Sequence, residues 1–194
     1  MLIDYITIDN IFDDPNQLVE YARQQTYYSL KDHPLDKGGK VTWAGRRTDS
    51  LNKIDPELVR KLSGSIGYKL MLQGVAEGIT NWDYRLMIDM YFHYLTDEDI
   101  YSKAWLHRDS GQLLAGVVYL DTNAKVDSGT IVFRGNEKII VSNEFNKLVL
   151  YRSDYVHSAE GGYGHDQTDG RLTLTFFIKQ LQVFAGSTDI AGLV

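Results

Sequence analysis

Between about Tyr84 and Ile178 the sequence is a succession of short runs rich in β-branched and aromatic residues: Leu86 to Tyr94, Leu113 to Leu120, Thr130 to Phe133, Ile139 to Val141, Lys147 to Tyr151 and Leu172 to Ile178. Turn-like clusters separate them, among them Asp121-Thr122-Asn123, Asp127-Ser128-Gly129, Arg134-Gly135-Asn136 and Ser142-Asn143. No crossover helix stands between these runs, and parallel strands require one. The pattern predicts an antiparallel β-sandwich or jelly roll.

The first third reads differently. Asp14-Pro15 places an N-cap before a proline at the first helical position, and Leu18, Val19 and Ala22 follow at helical spacing. Asp55-Pro56 repeats the signal ahead of Leu58, Leu62 and Ile66. Between them His33 to Ser50 is a polar, glycine-containing connector. With 194 residues and no Ser/Pro linker or fixed-period repeat, the expectation is one α+β domain over 1–194. Its helical lead-in occupies about 1–80, packed on the sheet, and its β core about 84–183.

Charge and composition narrow the chemistry. Twenty Lys and Arg against 26 Asp and Glu leave a net charge of −6, which argues against nucleic acid and anionic membranes as partners. The absence of cysteine excludes disulfides, thiolate metal sites and cysteine nucleophiles, so any metal must sit on histidine and carboxylate. No apolar run approaches the ~20 residues of a membrane span. The N-terminus also lacks a basic, then apolar, leader. The expected location is therefore the cytoplasm.

Of the five histidines, His107 stands two residues from Asp109. In an extended segment that spacing puts an imidazole and a carboxylate on one face, with Arg108 turned away. A third ligand from His157 would complete two histidines and one carboxylate, the facial arrangement of non-haem Fe(II) oxygenases. His157 is read as the end of a strand over Leu148–Val156. Fourteen residues later Arg171 opens the Leu172–Ile178 run, with Thr173 on its face. A guanidinium there could grip one carboxylate of a dicarboxylate such as 2-oxoglutarate while the other end chelates the metal.

Taken in order, His107-x-Asp109, Leu114-Ala115-Gly116-Val117-Val118-Tyr119-Leu120, Ser128-Gly129-Thr130-Ile131-Val132-Phe133, Leu148-Val149-Leu150-Tyr151 leading to His157, and Arg171-Leu172-Thr173 resemble the Fe(II)/2-oxoglutarate-dependent dioxygenases. The likeness is to short prolyl-hydroxylase-like members of phages and bacteria, which would make the location a host cytoplasm if the chain is phage-encoded. The resemblance implies a double-stranded β-helix in which His107, Asp109 and His157 bind Fe(II), and Arg171 with Thr173 holds the far carboxylate of 2-oxoglutarate. A tyrosine on an earlier strand often joins them; Tyr94 fits the spacing best and Tyr91 is second. The implied reaction consumes O2 and 2-oxoglutarate, releases succinate and CO2, and hydroxylates a C–H bond of an amino-acid-like or protein side-chain substrate. The competing reading is a catalytically silent jelly-roll module that binds or senses a ligand. Between small molecule, peptide and protein as substrate partner, the residues do not choose, and they leave the oligomeric state open.

Several residues are set aside. His165 lies six residues before Arg171 in a glycine-rich loop, too close for the chain to turn into the next strand, so His157 is preferred over it. His93 is expected to be a satisfied structural histidine and His33 to be solvated. Gly161-Gly162-Tyr163-Gly164 has no surrounding strand–loop–helix with Lys-Ser/Thr and is not read as a phosphate loop. Arg46 and Arg47, beside Trp43, could bind a substrate carboxylate or line a cleft rim. The favoured expectation is a surface loop pinned through Asp49.

Overall fold

Asp14 and Asp55 start the helices as their positions require. Asp14 accepts a hydrogen bond from the Gln17 amide at 3.4 Å, and Asp55 from the Leu58 amide at 2.9 Å. A computed structural model describes residues 3–30, 32, 43–76, 82–99 and 106–185 of the chain, so His33 and Gly38-Gly39 of the connector lie outside the described residues. In chain order the elements are β1 (Tyr5–Ile8), α1 (Pro15–Arg23), β2 (Tyr28–Ser29), β3 (Arg46–Arg47), α2 (Leu51–Ile54), α3 (Pro56–Ala76), β4 (Trp82–Leu95), β5 (Leu114–Tyr119), β6 (Thr130–Arg134), β7 (Glu137–Val141), β8 (Leu148–Arg152), β9 (Val156–Ala159) and β10 (Arg171–Ala185).

The strands form two antiparallel sheets. Seven run in the order β1-β8-β5-β10-β4-β3-β2 and three in the order β7-β6-β9. Alternation along each strand gives the large sheet two apolar faces. Leu172, Leu174, Phe176 and Ile178 of β10 share one core with Leu18 and Val19 of α1 and Leu62 and Ile66 of α3. Ala115, Val117, Val149 and Tyr151 from the opposite face join Val132 and Val141 of the small sheet in a second. This is a mostly antiparallel jelly roll with few helices.

Two expectations about strands need correction. The strand expected over Leu148–Val156 is divided, with β8 in the large sheet and β9 in the small one. The break is a turn in which the Tyr155 amide bonds to the Arg152 carbonyl at 3.0 Å and the Ser153 amide to that of Leu113 at 3.2 Å. β4 and β10 also run longer than their apolar patterns suggest, because they pair with each other from Arg171↔Leu95 to Ala185↔Trp82, with one irregularity at Lys179. Among the described residues no helix is long and apolar enough to cross a membrane.

Gly116 marks the tightest place in the sheet. A Cβ there would lie 2.2 Å from Cζ of its register neighbour Phe176, whose ring is fully buried. Gly116→Ala is expected to cost about 1–3 kcal/mol in urea unfolding through overpacking. Gly161→Ala, with open space around the added methyl, should stay within about 0.5 kcal/mol of the parent.

Candidate metal centre and active site

The His107 segment has no strand of its own and is held by its neighbour. The His107 amide donates to the His157 carbonyl at 3.1 Å, the His107 carbonyl accepts from the His157 amide at 2.9 Å, and the Asp109 amide donates to the Ser153 carbonyl at 2.9 Å. The segment therefore lies extended beside residues 153–157, and two-residue alternation aims both side chains at the ring of His157. One ligand atom from each of His107, Asp109 and His157 lies within 4.8 Å of the others.

The hydrogen bonds around this group say what it lacks. Nδ1 of His157 is 2.9 Å from the Tyr155 carbonyl, which can only accept, so Nδ1 carries a proton; in the neutral imidazole Nε2 then presents a lone pair. That lone pair faces Oδ2 of Asp109 at 3.3 Å, and Oδ2 is buried without a hydrogen-bond partner. Nε2 of His107 is 3.7 Å from Oδ1 of the same carboxylate. Two electron-rich atoms turned towards each other in a desolvated place repel unless a cation lies between them. A set of two imidazoles and one carboxylate suits Fe(II) and leaves further coordination positions open.

These residues open onto a cleft of about 520 Å³ between the sheets, also lined by Arg171, Thr173 and Thr175. Arg171 is 2% exposed. Its Nε donates to the Ser128 carbonyl, and its Nη2 to the Gly129 carbonyl at 2.9 Å and to Oγ1 of Thr130 at 3.4 Å. Burial lowers its pKa, and among the described residues no carboxylate pairs with it. Thr173 donates its hydroxyl to the His93 carbonyl at 3.1 Å. Along β6 and its lead-in, the two ends are set apart by register. His157 pairs with Val132, whereas Arg171 grips Ser128 to Thr130, roughly 7–13 Å back at strand rise.

Other expectations meet mixed outcomes. Tyr94 lies on the opposite face of β4 from His93 and Leu95, which line the cleft. It packs into the helix-side core with its ring 4.9 Å from that of Tyr27. Tyr91 shares the cleft-side face and packs on Phe177. His165 is exposed and bonded through Nδ1 to Asp169 at 2.9 Å, away from the metal group. His93 bonds Nε2 to the Ala44 carbonyl, as a satisfied histidine should, and also lines the cleft.

The Arg46-Arg47 pair forms a strand, not a surface loop, and Asp49 pairs with Lys53 at 3.3 Å instead. Gly45, at φ +73°, lets that strand approach β4, since a Cβ would lie 2.3 Å from the Tyr94 carbonyl oxygen. Register then separates the two arginines: Arg46 pairs with Tyr94 and Arg47 with His93 on the cleft side. Motif spacing alone misses two tyrosines. Tyr119 donates to Oγ1 of Thr130 at 2.7 Å and lies under the Arg171 guanidinium, 5.4 Å from ring centroid to Cζ. Tyr151 sets its ring 4.8 Å from that of His157, and burial, with the charge of Asp109, raises its pKa well above the usual value. Alternation within their apolar runs places both on the face of Ala115 and Val149, and that alternation is visible in the residue pattern alone.

Neither a protein-family model nor a curated protein matches the chain. Solved structures do. A Pseudomonas putida prolyl-4-hydroxylase superposes with a TM-score of 0.53 at 16% identity, covering 91% of this chain and 92% of that one. A Trichoplax adhaerens prolyl hydroxylase, in complex with a hypoxia-inducible-factor degradation-domain peptide, gives 0.58 at 12% identity over 90% and 82%. HygX from Streptomyces hygroscopicus, with nickel and 2-oxoglutarate bound, gives 0.55 at 12% identity over 90% and 82%. The chain has the jelly-roll fold of the 2-oxoglutarate–Fe(II) oxygenases, and within that fold it carries a His-Asp-His group.

The histidines outside this group give a pH prediction. Burial, then the charge of Arg47, pushes His93 down to about 3, whereas the hydrogen bond to Asp169 raises His165 above its usual 6.5. In NMR titrations His93 should stay neutral from pH 8 to 5 while His165 gains its proton at a midpoint above 6.5. The unfolded chain protonates His93 more readily than the folded one. Its contribution to stability, present at neutral pH, is therefore lost as pH falls from about 6.5 towards 3. His93→Gln should flatten that acid limb in urea unfolding.

Proposed function

We propose that the chain is an Fe(II)/2-oxoglutarate-dependent oxygenase that hydroxylates a C–H bond of an amino-acid-like or protein side-chain substrate, with release of succinate and CO2. The observation that carries the reading is the lone pair of His157 turned onto the unpartnered carboxylate oxygen of Asp109 at 3.3 Å. On this reading His107, Asp109 and His157 hold the iron. When bound, iron and 2-oxoglutarate together supply the activation of O2.

The chain's own residues bind and orient. Arg171 offers a buried, fixed cation with no acidic partner among the described residues, and it would receive the far carboxylate of 2-oxoglutarate through a charge-assisted pair, with Thr173 beside it. Tyr119 supports the guanidinium from below. The Tyr155 carbonyl keeps the iron-facing nitrogen of His157 free of a proton. The helical lead-in serves as the outer cover of the large sheet. Among structures of this fold, one neighbour is complexed with a peptide, and HygX is also solved with hygromycin B bound.

The direct test is succinate release by purified protein supplied with Fe(II), O2 and 2-oxoglutarate, since slow uncoupled turnover requires no substrate. Asp109→Ala and His157→Ala are expected to lose iron and turnover, and His165→Ala to keep both. Wild-type succinate release by Asp109→Ala would sink the assignment. Iron and 2-oxoglutarate binding with no succinate would turn the protein into the silent binding module.

Arg171→Ala is expected to weaken 2-oxoglutarate binding by about 2–5 kcal/mol and spare iron, because the dicarboxylate loses a desolvated charge partner. Lysine at this position should restore only part, since an ammonium cannot present the planar fork. Anaerobic titration of the Fe(II) protein, followed by the metal-to-ligand absorption band, reads both. Unchanged affinity would remove Arg171 from the site.

A further inference from the structure

A second arginine in the cleft has no role in holding iron or 2-oxoglutarate. Arg47 is half-buried and lines the cleft, and three aromatic rings pack about its guanidinium. Its Cζ lies 4.6 Å from the ring centroid of Tyr91, 4.9 Å from that of Trp43 and 5.6 Å from that of Phe177. Those rings cover its faces, and its Nε is sealed from water with no hydrogen-bond partner among the described residues. Desolvation is severe enough to push its pKa down to about 10.

The charge of Asp109 favours the cation, but Asp109 does not pair with it. Among the described residues the cleft acids are Asp99, Asp109 and Glu160, and none forms an ion pair with Arg47. Asp99 is occupied by the amide and hydroxyl of Thr96, and Asp109 belongs to the His-Asp-His group. Beyond the lining, Asp89 pairs with Lys179 and Asp49 with Lys53. A desolvated guanidinium whose hydrogen-bonding edge is short of partners is a place for an anion. Arg171 is fixed on β10 by the Ser128 and Gly129 carbonyls. Arg47 instead sits on β3, on the far side of β4 from β10.

Resting on the proposed function, we infer that Arg47 is a specificity-determining residue that receives a carboxylate of the primary substrate, with the adjoining carbon skeleton against Trp43. The substrate class is then a small carboxylic acid, such as a free amino acid, or a chain end or acidic side chain that can enter the cleft. One isolated guanidinium among aromatic rings suits a monoanionic, planar carboxylate better than a phosphate dianion, which calls for more donors.

The test uses trifluoroacetate as a fluorine NMR probe on the full chain, loaded with Zn(II) as a redox-inert metal and saturated with 2-oxoglutarate so that the Arg171 end is filled. The wild-type protein should show one saturable trifluoroacetate site, with neutral trifluoroacetamide binding at least tenfold more weakly. Arg47→Met should weaken trifluoroacetate at least tenfold and Arg47→Lys by less, with circular dichroism confirming the fold. The contrast between acid and amide in wild-type protein stands even if a variant does not fold. Displacement of the probe by 2-oxoglutarate, equal binding of acid and amide, wild-type affinity in Arg47→Met, or no saturable site would each overturn the inference. Failure of 2-oxoglutarate itself to bind, with the trifluoroacetate site intact, would instead refute the oxygenase reading and leave Arg47 as an anion site.

Discussion

A strand turns successive side chains to opposite faces, and in this protein that single regularity divides core from chemistry. Along β10, Leu172, Leu174, Phe176 and Ile178 sink into the helix-side core, while Arg171, Thr173, Thr175 and Phe177 line the cleft. Along β4, Met90, Phe92 and Tyr94 go one way, and His93 and Leu95 the other. The same parity sends Arg47 into the cleft and Arg46 out of it. A slip of one residue in any of these pairings would exchange the two sets, so the apolar face enforces the register on which the polar face depends.

The polar face is electrically incomplete as it stands. Among the described residues a carboxylate oxygen has no hydrogen-bond partner, an imidazole nitrogen faces it, and two guanidinium groups have no acid in an ion pair with them. Burying such groups opposes folding. The two cores, with the carbonyls behind Arg171 and the rings around Arg47, must offset that penalty. Sites that hold charge in readiness for a ligand have this character.

Much of this is legible in the sequence. The two Asp-Pro starts, the strand-rich second half, and the two-residue spacing of His107 and Asp109 each follow from local rules, and the choice of His157 over His165 follows from how much chain a turn requires. What stays hidden depends on long-range pairing. The division of Leu148–Val156 between two sheets follows from the backbone bonds of Ser153 and Tyr155, which no local pattern encodes. Counting back from His107 favours Tyr94, but strand parity, set by pairing with β10, turns it away. Arg47 reads as a surface residue because Trp43-Ala44-Gly45 looks like a loop; only the approach allowed by Gly45 makes β3 a strand beside His93.

The way Arg171 is held has one more consequence. Its guanidinium is tied to the main-chain carbonyls of Ser128 and Gly129, and the His107–His157 pair is tied by reciprocal main-chain bonds. The two ends of the cleft are thus fastened to main-chain groups rather than to flexible side chains, and the guanidinium cannot shift without losing its bonds to the Ser128 and Gly129 carbonyls. On the proposed reading, the cleft is a gauge of molecular length. A diacid one methylene longer or shorter than 2-oxoglutarate would have to bend or stretch itself to fit, and the strain of the mismatch would fall on the ligand.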